Sequence, residues 1–105
     1  MKTNNKLKSL KDVIITSGIV FTSDTSFYHI FKVYKYGVII TDRVAYSDYK
    51  YDKIFKELTT KYKVNIIYDY SDLTTEQLDY LMEQDITTTD PKELKRAYIQ
   101  KLMSF

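Results

Sequence analysis

The sequence predicts an α+β domain: an antiparallel β-meander of three strands, then a helix, a fourth strand and two C-terminal helices (ββ-β-α-β-α-α). Three observations carry this. Residues 27–46, FYHIFKVYKYGVIITDRVAY, alternate in character on either side of Tyr36-Gly37, the pattern of two strands folded into a hairpin. Beyond them the apolar period lengthens to about 3.6, with Tyr51, Ile54, Phe55, Leu58 and Tyr62 recurring on one helical face. Two helix-start signatures follow, Thr74 with Gln77 and Asp90 with Pro91.

Taken in order, residues 1–11 carry Lys2, Lys6, Lys8 and Lys11 with only Leu7 and Leu10 to pack, and read as a loose basic arm. Residues 13–22 are rich in β-branched side chains and interrupted by Ser17-Gly18, which suggests a bulged strand or a tiny hairpin. Ser23-Asp24-Thr25-Ser26 is a turn cluster leading into the hairpin. Pairing the hairpin arms across Tyr36-Gly37 sets Lys35 opposite Val38, Val33 opposite Ile40, Phe31 opposite Asp42, His29 opposite Val44 and Phe27 opposite Tyr46. Strand side chains alternate, so these form one core face. The other face then holds Tyr34 with Ile39, Lys32 with Thr41, Ile30 with Arg43 and Tyr28 with Ala45.

The first helix is capped by Ser47 or Asp48 and ends near Lys61 and Lys63. Residues 64–70, VNIIYDY, form a strand; a strand-helix-strand crossover makes it parallel to a strand of the meander. Thr74 caps the second helix, Leu73 staples onto Leu78, and Leu78, Leu81 and Met82 are buried before it ends at Gln84. Asp90 caps the last helix, which buries Leu94, Tyr98 and Leu102 together with Ile99 and Phe105.

At 105 residues the chain is a single domain, able to bury roughly 65% of its unfolded surface. With no Cys, a disulfide framework and a thiolate metal site are excluded. No apolar run reaches the span of about 20 residues that crosses a bilayer, nor the apolar segment of a signal peptide, so a cytoplasmic protein is expected. Charge is segregated: residues 1–63 sum to +6, residues 64–90 to −7 and residues 91–105 to +3. Eleven Tyr beside no Trp is a surplus that suits partner-binding surface, although codon bias and strand propensity produce the same excess.

His29 is the only histidine and falls on the core face, where a packed, hydrogen-bonded ring is the ordinary role. Ser26, His29 and Asp42 can be written as a triad, but no nucleophile elbow accompanies them. The carboxylates Asp69, Asp72, Glu76, Asp79 and Glu83 match no calcium loop and read as an acidic surface, able to imitate a line of phosphates towards an Arg-rich groove. No residue is assigned to catalysis, a cofactor or a metal. The outer hairpin face supplies the candidate partner site: Tyr28, Lys32, Tyr34 and Arg43, extended by Tyr36, Tyr49 and Lys50. Small size and the lack of a catalytic motif fit a non-enzymatic interaction or inhibitor protein, of the accessory kind that phages and mobile elements encode, acting on a protein or a protein–nucleic-acid complex. Aromatic rings interleaved with cations fit direct binding of RNA or single-stranded DNA instead; an enzyme of unknown class is the remaining alternative.

Overall fold

The structure is a computed structural model describing residues 12–104; the arm at residues 1–11 and the packing of Phe105 lie outside them. Residues Val13–Phe21 form one unbroken strand, β1, antiparallel to β2 (Phe27–Lys35) along its whole length, from Val13 opposite Lys35 to Phe21 opposite Phe27. The bulge or hairpin expected at Ser17-Gly18 is absent. Ser17 is buried and shares a hydrogen bond of 2.9 Å with the Tyr51 hydroxyl. Gly18 serves another strand: a Cβ there would stand 3.1 Å from the Asp69 carbonyl oxygen, whose residue donates its N–H to the Ser17 carbonyl at 2.9 Å. Glycine here admits a close backbone approach.

Tyr36 and Gly37 turn the chain with positive φ at both positions, 53° and 80°, the geometry of a two-residue hairpin loop. The expected pairs Lys35–Val38 and Tyr34–Ile39 form, but a β-bulge follows. Strand β3 (Val38–Ala45) inserts Ile40 as an extra residue, so Val33 faces Thr41, Phe31 faces Arg43 and His29 faces Ala45. Every side chain beyond the bulge changes sides. Ala45, expected outside, is fully buried in one cluster with Phe31, Tyr51 and Ile54, whereas Val38 and Ile40, expected in the core, are 65% and 48% exposed. The shift places the smallest apolar side chain of the strand beneath a helix and brings Arg43 within reach of Glu57.

Helix α1 (Asp48–Tyr62) starts at Ser47, whose hydroxyl accepts the Lys50 N–H, and ends where Lys63 turns left-handed. It covers the sheet with Tyr51, Ile54 and Leu58. Strand β4 (Ile66–Tyr68) is shorter than the sequence suggests and pairs in parallel with β1, giving the order β3-β2-β1-β4. Helix α2 (Thr75–Glu83) has the full capping box, Thr74 and Gln77 each bonding the other's backbone N–H, and buries Leu78 and Leu81. Helix α3 (Pro91–Met103) is capped by Asp90 and buries Leu94, but Ile99 and Leu102 remain exposed because the helix runs on past the apolar cluster it helps to close.

Two clusters form the core. The first joins Ile15, Phe31, Val33 and Ala45 to α1; the second joins Ile19 to Tyr70, Leu73, Leu78, Leu81 and Leu94. Both use the same face of the sheet, so among the described residues all three helices lie on one side and the opposite face is uncovered.

The bulged register is tested by adjacent substitutions. Ala45→Leu should cost about 1–3 kcal/mol through overpacking. Val44→Thr, on the uncovered face, should change stability by no more than about 0.5 kcal/mol in urea denaturation; the unbulged pairing requires the reverse.

Candidate binding surfaces

Rows of side chains crossing the uncovered face follow from the register. Ile14, Tyr34 and Ile39 form one row; Ile67, Thr16, Lys32 and Asp42 the next; Gly18, Ile30 and Val44 a third; and Val20 with Tyr28 a fourth, where the Tyr28 ring meets Tyr46 at 5.2 Å. Ile14, Val20, Ile39 and Ile67 are all exposed. The missing side chain of Gly18 leaves a depression of about 60 Å³ in the middle, bordered by Ile30, Lys32, Asp69 and Asp72. Among the described residues the face is therefore mainly apolar, and its one lysine, Lys32, stands directly opposite the Asp42 carboxylate.

Of the residues expected at a partner site, Tyr28, Lys32 and Tyr34 share this face, and Tyr36 lies at its end in the exposed hairpin turn. Arg43 does not. The bulge turns it to the helical side, where its guanidinium donates to the Glu57 carboxylate and holds that group below the usual carboxylate range. Tyr49 and Lys50 belong to the first turn of α1 and so to the helical layer. Among the acidic residues, Asp69 is occupied locally, accepting from the Ser71 N–H and hydroxyl, while Asp72 borders the depression. Glu76, Asp79 and Glu83 recur at helical spacing on the exposed side of α2.

Sequence reasoning missed Ile14, Val20 and Ile67, which complete the face. The alternation Ile14, Thr16, Gly18, Val20 holds the signal, but the Ser17-Gly18 pair imitates an interruption of the strand. It also missed Asp42, because facing within β3 depends on a bulge that no glycine marks.

A second concavity, about 380 Å³, opens where the chain between β3 and α1 meets the chain between α2 and α3. Phe27, His29 and Ala45 form its floor, with Tyr46, Ser47 and Asp48 on one wall and Gln84, Asp85, Ile86 and Thr87 on the other. His29 is only 5% exposed; its Nε2 shares a 2.8 Å hydrogen bond with the Thr88 hydroxyl, and its ring packs edge-on against Tyr51 at 4.6 Å. Burial lowers its pKa to about 4, against a smaller upward pull from Asp48. Burial likewise raises the Tyr51 and Tyr70 hydroxyls above the ordinary tyrosine range, so both stay neutral. Among the described residues no group of three His, Cys, Asp or Glu side chains is arranged to hold a metal, and no helix is long and apolar enough to cross a membrane.

Comparison with protein families, with curated proteins and with solved structures returns no match.

The His29 ring gives a signed pH dependence. Because its folded pKa of about 4 lies below the ordinary 6.5, the unfolded chain takes up the proton first as pH falls. Its contribution is complete above pH 6.5 and is lost as pH falls towards 4, at up to about 1.4 kcal/mol per pH unit. Urea midpoints at pH 6.5 and pH 4 should differ less in His29→Gln, which can keep a bond to Thr88 without titrating.

Proposed function

We propose that the chain is a small non-enzymatic interaction protein of the cytoplasm, of the accessory or inhibitor type, and that its uncovered sheet face takes a protein partner. One observation carries this reading: the face combines exposed Ile14, Val20, Ile39 and Ile67 with the rings of Tyr28 and Tyr34, and Lys32 is countered by Asp42. Interface centres are poor in charge and rich in aromatic side chains, whereas a single-stranded nucleic acid needs cations along its backbone as well as rings for its bases. Removal of Arg43 to the helical side takes away the second cation such a strand would require. The partner best matched to this face therefore presents an apolar, weakly charged surface of its own, and the acidic side of α2 lies in the other layer.

Affinity capture from the source host with Tyr34→Asp and Tyr49→Asp variants tests the assignment. A partner protein should be lost with the first and kept with the second, since Tyr49 lies in the helical layer. In an electrophoretic shift at low salt, oligonucleotides should not bind. Binding that weakens steeply with salt and disappears with Tyr34→Ala would overturn the protein-partner reading in favour of nucleic acid.

A further inference from the structure

Ile99 and Leu102, left outside the core at the far end of α3, belong to a larger pattern on the outer surface of the helical layer. Residues three, four, seven and eleven apart share one side of a helix, so Lys92, Arg96, Ile99 and Met103 form a single stripe, opposite the buried Leu94. All four are exposed, and Lys95 and Leu102, also exposed, flank them. The stripe is cationic in its first half and apolar in its second. Helix α2 presents the opposite sign: Glu76, Asp79 and Glu83 are exposed on the side away from buried Leu78 and Leu81.

The fold sets these three zones in one surface. Leu78, Leu81 and Leu94 share a cluster, so α2 and α3 lie side by side. The Lys101 amino group donates to the Ser71 carbonyl oxygen at 2.8 Å, which holds the apolar end of α3 beside the chain entering α2. From that apolar end the cationic half of α3 and the anionic side of α2 diverge like the arms of a V. A two-fold axis along the bisector of the V lays each arm on the opposite arm of a second copy. Symmetry then makes every contact twice: carboxylates of each α2 meet the cations of the other α3, while Ile99, Leu102 and Met103 meet their own counterparts near the axis.

The cationic half has room for the carboxylates. A shallow concavity of about 340 Å³ lies among Lys92, Lys95, Arg96 and Ile99, where aliphatic stems carrying charged tips suit the methylenes and carboxylate of a Glu side chain. Arg96 also meets Glu93 of its own helix at 3.6 Å, but an exposed pair of this kind contributes little, and a guanidinium has five N–H donors. An anionic membrane would attract the same cations and repel the acidic side of α2 next to them. A second copy, which carries both signs in matching places, satisfies both.

We propose that the outer surface of α2 and α3 joins two copies of this chain, α2 of each lying against the first half of α3 of the other. The sheet face stays open in such a dimer, so this contact is independent of the partner assigned to that face.

Sedimentation equilibrium of the 105-residue chain should show a reversible monomer–dimer equilibrium that weakens as salt is raised, since the crossing charges are exposed. Asp79→Lys with Glu83→Lys, and separately Lys92→Glu with Arg96→Glu, should each weaken self-association by about tenfold or more, because each reversal acts twice. An equimolar mixture of these two variants should recover a dimer, each lost attraction being rebuilt across the mixed pair. Ile99→Asp should also weaken the dimer, and Tyr34→Asp on the sheet face should not. Helical circular dichroism checks that each variant is folded; where a reversal disturbs it, Ile99→Asp and the salt dependence of the unaltered chain decide. A chain that stays monomeric up to about 1 mM, a dimer indifferent to both reversals, folded variants that stay monomeric when mixed, or a dimer lost with Tyr34→Asp overturns the proposal. A monomer that binds vesicles containing phosphatidylserine overturns it in favour of a membrane.

Discussion

The buried contact between Tyr51 and Ser17 ties the first helix to the middle of the sheet, and most of the remaining packing follows from where that tie falls. The Tyr51 ring lies against His29 and Phe31 of β2 and Phe55 of its own helix, while its hydroxyl crosses to β1 at 2.9 Å. A serine side chain buried without such a partner would carry the desolvation cost of an unmet hydroxyl, of order 1–3 kcal/mol. With the bond formed, the polar atom at the centre of β1 becomes a positional device. The tie fixes α1 over the middle of the sheet, and Ala45 is the β3 side chain that lies fully buried in the cluster formed there.

The sequence made legible what is decided locally. Capping chemistry placed the starts of all three helices, since Ser47, Thr74 and Asp90 each satisfy N–H groups that an unfinished helix leaves open. The hairpin turn was legible for the same reason: only a few residue pairs tolerate positive φ at both positions. What could not be read is settled between elements. No residue within VIITDRVA announces a bulge; its position emerges from the fit of Ala45 under α1 and of Arg43 against Glu57. Leu102 carries the right spacing for the apolar side of α3, but spacing cannot tell where the rest of the core stops.

That single inserted residue also decides the character of the candidate surface. Without it, Arg43 would join Lys32 among the tyrosines and the face would resemble a platform for nucleic acid. With it, Asp42 takes the outward position and the local charge cancels. The rings of Tyr28 and Tyr46 then form a ridge between the sheet face and the His29 cleft, because Tyr46 borders the second while stacking at the edge of the first. Two surfaces of different chemistry thus share one exposed side chain.

The brevity of β4 has its own consequence. Strands β1, β2 and β3 are joined by short turns, but β4 returns to β1 only after the hairpin and the whole of α1, so a long loop is closed by a pairing of three residues. Ladder bonds over that length are too few to offset such closure on their own. What holds the seam is the cluster behind it, where Tyr70 and Leu73, just past β4, pack with Ile19 and the last two helices. Because Ile66 packs against the Tyr51 cluster and Tyr68 against the second, this short strand is also where the two halves of the core meet, so its seam is held from both sides rather than by its own ladder.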